Sequence, residues 1–260
     1  MNILEKEMIF TLKSLKEDFG VFEIKAEFEA EGSRMEELMR LKDITSAVGL
    51  PIILKIGGVE AVTDVYNGLA IGVKGIIAPM GETAYAISKY LNLIKTMVPE
   101  DNAADIEFAF NLETITGYNN FDDILNLKDL SLLSGVTVGR VDLTGSMQLG
   151  REAINTDQNI FNICSEVFQK SKHKGLKTGL GGGISKHALP VITQLAEMKI
   201  LDKYETRKVV FPATSVKYGE AAILKAVEFE LAWLKSKRRY YSRIKAEDEM
   251  RIEMIESRLK

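Results

Sequence analysis

Two carboxylates, Glu113 and Asp142, carry the strongest chemical signal in this 260-residue chain. Each closes a stretch whose apolar pattern reads as a β-strand: Asp-Ile-Glu-Phe-Ala-Phe-Asn-Leu-Glu-Thr over 105–114 and Gly-Val-Thr-Val-Gly-Arg-Val-Asp-Leu over 135–143. A helical segment separates them. Oxygen donors at neighbouring strand ends of an α/β sheet, with coordination positions left open, suit a hard divalent cation such as Mg²⁺ or Mn²⁺. A solvated Glu and a helix-capping Asp would give the same spacing, so the rest of the chain has to decide.

The elements that position this pair alternate. Strands are expected near 21–28, 51–56, 75–80, 105–113, 135–142, 176–181 and 208–214. Helices are expected near 35–48, 59–71, 82–97, 119–129, 157–173 and 185–199, after an amphipathic helix over about 3–18. The βαβα order implies a parallel sheet, doubly wound or closed. The length fits a TIM-like (β/α)8 barrel. Only seven strands are counted, which leaves a degenerate or missing first strand as the open question. The expected organisation is one barrel domain over 1–225 and a C-terminal helical extension over 226–260.

Strand side chains alternate faces. In the first strand Phe22, Ile24, Ala26 and Phe28 share one face, and Glu23, Lys25, Glu27 and Glu29 share the other. Lys55 lies opposite Ile52, Leu54 and Ile56; Glu107, Ala109, Asn111 and Glu113 lie opposite Ile106, Phe108, Phe110 and Leu112. Helices pack on the apolar faces, so the charged faces point into the barrel, where charge is costly unless paired or bound to metal. Lys25, Glu27, Lys55, Glu113, Arg140 and Asp142 fall at or near the C-terminal strand ends, the catalytic end of such barrels. Glu23 and Glu107 lie deeper, as structural ion-pair partners.

Composition narrows the function classes. The chain is 46% hydrophobic, enough for a sizeable core, and its net charge of -3 gives no global basic field for nucleic acid. The single Cys164 offers neither a disulfide nor a Cys/His metal site, as expected of a reducing cytoplasm. The opening Met-Asn-Ile-Leu-Glu-Lys-Glu is too charged for a signal peptide, and no apolar run approaches the roughly 20 residues that cross a bilayer.

Four motifs, in order, resemble one family. Phe110-Asn111-Leu112-Glu113-Thr114 is similar to its hydrophobic-Glu-Thr strand end. Gly139-Arg140-Val141-Asp142-Leu143-Thr144, with Leu149-Gly150-Arg151, is similar to its Gly-Pro-x-Asp-Leu-Ser…Leu-Gly segment. Pro51-Ile52-Ile53-Leu54-Lys55 and Gly75-Ile76-Ile77-Ala78-Pro79-Met80 match two further strands. The chain thus resembles the HpcH/HpaI aldolase and citrate lyase β-subunit family over about 21–225. The resemblance implies metal-dependent carbon–carbon bond cleavage or formation through an enolate of a 2-oxo acid or acyl-CoA. Glu113 and Asp142 would hold Mg²⁺ or Mn²⁺, and the amides near Gly139–Val141 would hold a substrate carboxylate. Family members also exchange C-terminal helices, which implies a homo-oligomer.

The departures matter as much. The family's arginine is Lys55 here, which keeps the charge but loses the bidentate fork. Its basic histidine falls at about Phe28. The two histidines present, His173 and His187, read as a solvated residue and a helix residue. Glu27 is then the candidate base or orienter of a metal-bound water. Lys55 is the enolate's cation, and Arg140 stands where the family has proline, next to the metal Asp, as an anion binder. Lys25 would also reach substrate. Lys25, Lys55 or Lys177 could instead form a Schiff base.

The run Lys177-Thr178-Gly179-Leu180-Gly181-Gly182-Gly183-Ile184-Ser185 reads either as a phosphate cradle using Gly182 and Gly183 or as a tight turn with Ser185 as N-cap. From Glu220 to Lys260 the chain reads as one long helix, expected at a subunit interface rather than on RNA or membrane. The leading expectation is a metal-dependent lyase or aldolase acting on a small carboxylate or acyl-CoA. The alternative is a catalytically altered or non-catalytic barrel that binds an anionic metabolite, a phosphorylated one if the glycine run cradles phosphate.

Overall fold

The computed structural model describes residues 1–259. Eight strands close into a barrel in chain order: β1 (Glu23–Glu27), β2 (Ile52–Lys55), β3 (Gly75–Ala78), β4 (Glu107–Leu112), β5 (Gly135–Gly139), β6 (Lys177–Gly181), β7 (Lys203–Glu205) and β8 (Val209–Pro212). The helices are α1 (Ile3–Phe19), α2 (Met35–Ser46), α3 (Val62–Ile71), α4 (Ala84–Met97), α5 (Glu100–Asp105), α6 (Ile115–Asn119), α7 (Phe121–Leu125), α8 (Arg140–Ser146), α9 (Ala153–Thr156), α10 (Gln158–His173), α11 (Leu189–Glu197) and α12 (Gly219–Leu259). Lys260, the end of the expected extension, lies outside the described residues. No helix among the described residues is long and apolar enough to cross a membrane.

The expected α/β barrel with a long C-terminal helix is present, but it closes differently. β1 to β7 run parallel. β8 runs antiparallel to both β7 and β1. The place of the missing parallel strand is therefore filled from the other end of the chain. β7 and β8 form a hairpin around Thr206-Arg207-Lys208, pinned by Thr206 N donating to Val209 O (2.9 Å) and Val209 N donating to Thr206 Oγ1 (3.1 Å). The sequence reading missed β7 because two of its three residues are charged. It also ran the fifth strand to 142, whereas the strand stops at Gly139 and α8 begins at Arg140.

Ile24, Ile52, Leu54, Ile76, Phe108, Phe110, Val136, Val138 and Leu180 face outward and are buried under the helices. Inside the barrel a small apolar plug of Ile53, Ile77, Val210 and Ala109 separates two charged ends. α1 starts with a capping box, Glu5 N donating to Asn2 Oδ1 (3.0 Å) and Asn2 N to Glu5 Oε2 (2.7 Å). It ends at left-handed Gly20, where Ser215 Oγ donates to Phe19 O (2.6 Å). α12 starts at that end and packs along α1. It reaches the opposite end, where Lys237 pairs with Glu37 (3.0 Å) and the Arg34 guanidinium lies 4.8 Å from the Tyr241 ring. From 242 to 259 every residue is exposed.

Closure rests on the reversed strand. Phe211 is fully buried and stacks on Tyr204 at 5.1 Å. Phe211→Ala is expected to cost about 3–5 kcal/mol, read as a lower urea midpoint.

Candidate functional site

The inward faces form three layers. At the N-terminal end Lys203 Nζ donates to Glu23 Oε2 (3.1 Å) and Lys177 Nζ to Glu107 Oε1 (2.7 Å). Glu23 and Glu107 are thus the structural partners expected of them. Lys177 lies at the end away from Glu113 and does not join the site. The apolar plug follows. Above it, at the C-terminal end, three lysines and five glutamates fill the mouth.

Lys55 is the centre of this set. Its Nζ donates to Glu113 Oε1 (2.9 Å), and Glu29 Oε2 also lies 2.9 Å away, close enough for an ion pair although poorly aligned for a hydrogen bond. Glu113 Oε1 also accepts from Asn111 Nδ2 (3.1 Å), and Oε2 accepts from Met80 N (3.1 Å). Met80 adopts a left-handed backbone (φ 49°), a strained conformation for a side chain of its size, and it aims that amide at the carboxylate. Glu113 lies across Gly139: a Cβ there would sit 2.6 Å from Glu113 Cγ. The strand register delivers the rest, pairing Glu27 with Lys55 across β1 and β2. Lys25 Nζ lies 3.0 Å from Glu27 Oε1 and 2.8 Å from Glu205 Oε1. Lys208, at the hairpin tip, pairs with Glu31 and lies 5.7 Å from the Trp233 ring of α12.

The electrostatics follow from these pairings. Burial works against the charge on Lys25, but Glu205 and then Glu27 overcome it and hold the ammonium above its ordinary 10.5. Lys55 is raised in the same way: Glu113 and Glu29 outweigh burial. Lys208 is pushed down by burial, which Glu31 and Glu27 only partly offset. Glu27 feels burial upward, yet Lys25, Lys55 and Lys208 hold its carboxyl below its ordinary 4.5.

Other expected site residues sit elsewhere. Arg140 is 0% exposed and faces outward, away from any anion in the barrel. Its Nη2 donates to Gly182 O (2.8 Å), its Nη1 to Ile154 O (3.1 Å) and Asn155 Oδ1 (3.0 Å), and its Nε to Gly181 O (3.3 Å). With its donors so engaged, it ties the 181–182 turn and α9 to the start of α8 and is not placed to bind substrate. Gly182 (φ 74°) and Gly183 (φ 66°) form a tight turn: a Cβ on Gly182 would sit 2.6 Å from Val141 N and 2.7 Å from Arg140 N. The amides offered to a carboxylate are packed against that turn. Ser185 caps only a three-residue 3-10 turn, so a phosphate cradle has no support here. His173 and His187 are exposed.

Asp142 is exposed in the first turn of α8, beyond the strand end it was expected to close. Among the described residues no three His, Cys, Asp or Glu side chains converge as a metal cluster. The chemistry of the mouth still fits a cation: five carboxylates face three ammonium groups, and Asn111 Oδ1 and Glu205 Oε2 are buried without a partner. Glu29 and Asn111 were placed on inward faces by alternation but not named as site members, and Glu205, Lys208 and Glu31 were missed. The inward alternation of Lys203-Tyr204-Glu205 could have found Glu205. Glu31 and Lys208 lie on loops, where alternation ends.

Stability should follow the Lys25 pair. Its contribution is complete below pH 10.5 and is lost as pH rises through the raised pKa of Lys25. The contribution of Glu27 is present above 4.5 and is lost as pH falls through its lowered pKa. Lys25→Met, which leaves two buried carboxylates unpaired, is expected to cost about 3–5 kcal/mol at neutral pH. That deficit should narrow in acid, where the carboxylates protonate; urea midpoints across pH measure both.

No family model and no curated protein sequence matches the chain. Solved structures match its fold. The citrate synthase SbnG is 16% identical, with a TM-score of 0.61, over 90% of this chain and 91% of that one. An HpcH/HpaI aldolase/citrate lyase family protein from Burkholderia cenocepacia is 15% identical, with a TM-score of 0.56, over 76% and 90%. An HpcH/HpaI aldolase from Desulfitobacterium hafniense is 15% identical, with a TM-score of 0.54, over 69% and 74%. The barrel is therefore of the kind seen in HpcH/HpaI aldolases and a citrate synthase, in agreement with the motif resemblance.

Proposed function

We propose that the protein is a carbon–carbon lyase of aldolase type that works through the enolate of a 2-oxo acid or acyl thioester. The observation that carries this reading is Lys55, a buried ammonium held at a barrel mouth between two carboxylates. A fixed positive charge in a water-poor site stabilises an oxyanion as it develops, without waiting for solvent to reorganise. The raised pKa of Lys55 keeps it cationic, which favours this electrostatic role over Schiff-base formation, since the nucleophile there is the neutral amine. Glu27, held ionised below its ordinary value, is a weak proton acceptor and is better suited to orienting water than to acting as base. A divalent cation at Glu113 would add Lewis-acid stabilisation of the enolate, with Asp142, exposed in the first turn of α8, as the second ligand that the motif resemblance implies.

The segment after β1 hints at the substrate. Glu29 and Glu31 reach over the mouth to Lys55 and Lys208. They occupy two ammonium groups in the way a substrate's carboxylates would, so the reading favours a substrate with two carboxylates that displaces them.

A second reading, an anion-binding barrel without turnover, is favoured by one fact: among the described residues neither histidine is hydrogen-bonded to a lysine or glutamate of the mouth, both being exposed and bonded only within their own segments. Exchange of pyruvate methyl protons in D₂O with Mg²⁺ or Mn²⁺ separates the two. Metal-dependent exchange that falls about 10²–10³-fold in Lys55→Met and is lost in Asp142→Ala supports the lyase. No exchange with pyruvate, and no turnover of any acyl-CoA tested, leaves the binding protein. Glu29→Gln should lower KM for a dicarboxylate by about threefold to tenfold, because a competing counter-ion is removed.

A further inference from the structure

The long helix outreaches the barrel it covers. One face of its first half buries Ala222, Ala226, Phe229 and Trp233. Another face presents Leu224, Val227, Leu231 and Leu234, each about half exposed. Beyond the barrel the tail exposes Ile252, Ile255 and Leu259. These positions advance by alternating steps of three and four, the a and d places of a heptad, with 224, 231, 238, 245, 252 and 259 as a and 227, 234, 241, 248 and 255 as d. The stripe is apolar at both ends and holds Arg238, Tyr241, Lys245 and Asp248 in the middle.

We propose that this stripe pairs with the same stripe of a second copy of the chain as an antiparallel coiled coil whose two-fold axis passes near residue 243. Antiparallel seams set a against d. Centred there, they put Val227 on Leu259, Leu231 on Ile255, Leu234 on Ile252 and Arg238 on Asp248, and bring Lys245 beside Tyr241, whose ring stays packed on Arg34 of its own barrel. One register satisfies the first four pairs at once. A parallel pairing stacks Arg238, Lys245 and Asp248 each on its own copy, three like-charge layers. Sliding the antiparallel pair by one heptad places Leu231 on Asp248 in one direction and Arg238 on Ile255 in the other.

The flanks agree with this register. Lys235 meets Glu249, Glu230 meets Arg258, and Ile244 and Ser242 each meet their own copy beside the axis. Two flanking pairs are like-charged, Glu228 with Glu256 and Lys237 with Arg251. Glu228 is already paired with Lys225 (2.8 Å) and Lys237 with Glu37 (3.0 Å). The seam runs from 227 to 259, about 50 Å at 1.5 Å per residue. It buries apolar side chains that the isolated chain leaves in water.

Light scattering on the full chain should give a dimer at micromolar concentration. Leu231→Glu should weaken it about a hundredfold or more, with the barrel's melting temperature unchanged because Leu231 faces outward. Arg238→Asp and Asp248→Arg should each weaken it about tenfold, and the double exchange should restore it. With oxidised glutathione, Ser242→Cys should cross-link to its own copy, while Leu234→Cys should do so only together with Ile252→Cys. The native Cys164 is buried and does not compete. A monomeric wild type, a dimer that survives Leu231→Glu, or self-cross-linking of Leu234→Cys would each overturn the proposal.

Discussion

A charge inside a closed barrel has nowhere to go, and this protein puts lysines there. Each inward ammonium must meet a carboxylate within the reach of a single side chain, and those meetings set the strand registers. Glu27 stands beside Lys55 across β1 and β2. Lys25 spans the interior to Glu205 on β7. A one-residue slip of any of these strands would turn the charges onto the apolar helices and the isoleucines into the mouth. The plug of Ile53, Ile77, Val210 and Ala109 keeps the two charged ends apart, so each end neutralises itself.

The same pairing decides what chemistry the mouth can support. Lysines held charged by glutamates attract anions and stabilise oxyanions; they do not attack carbonyls. The surplus of carboxylate over ammonium leaves room for a cation without requiring the lysines to move. Arg140 shows the reverse case. It sits one residue past Gly139, on the outward face, and its donors serve backbone carbonyls. Arg140 and Asp142 are two residues apart and would share a face on a strand, but the helix that begins at Arg140 turns them apart, leaving Arg140 buried and Asp142 exposed.

Much of this was legible in the sequence. Alternation of apolar and charged residues in 21–29 and 105–113 gave both strands and the side each face would take, because helices must cover the apolar face. Glu113 follows from that alternation and Lys55 from the same pattern in 51–56, and the motif resemblance marks both. Lys203-Tyr204-Glu205 was not, because a three-residue strand with two charges carries no apolar run; only closure of the ring makes it a strand. Asp142 was placed on a strand because Val136, Val138 and Arg140 continue the alternation, while the helix that begins at Arg140 is favoured by tertiary contacts of its guanidinium. The reversal of β8 is invisible to local pattern, since Val209-Val210-Phe211-Pro212 reads equally well in either direction.

That reversal makes the mouth unequal around its rim. Seven strand positions present their ends there, and the segments that follow can lengthen or shorten without disturbing the ring. At the eighth, a three-residue hairpin tip brings in Lys208 at the start of a strand, with Glu205 just before it. A hairpin of that length tolerates neither insertion nor drift, so it acts as a fixed rail. Ligand preference can be retuned along the other side of the rim, while the Lys25–Glu205 and Lys208 edge remains a constant datum from which any substrate is measured.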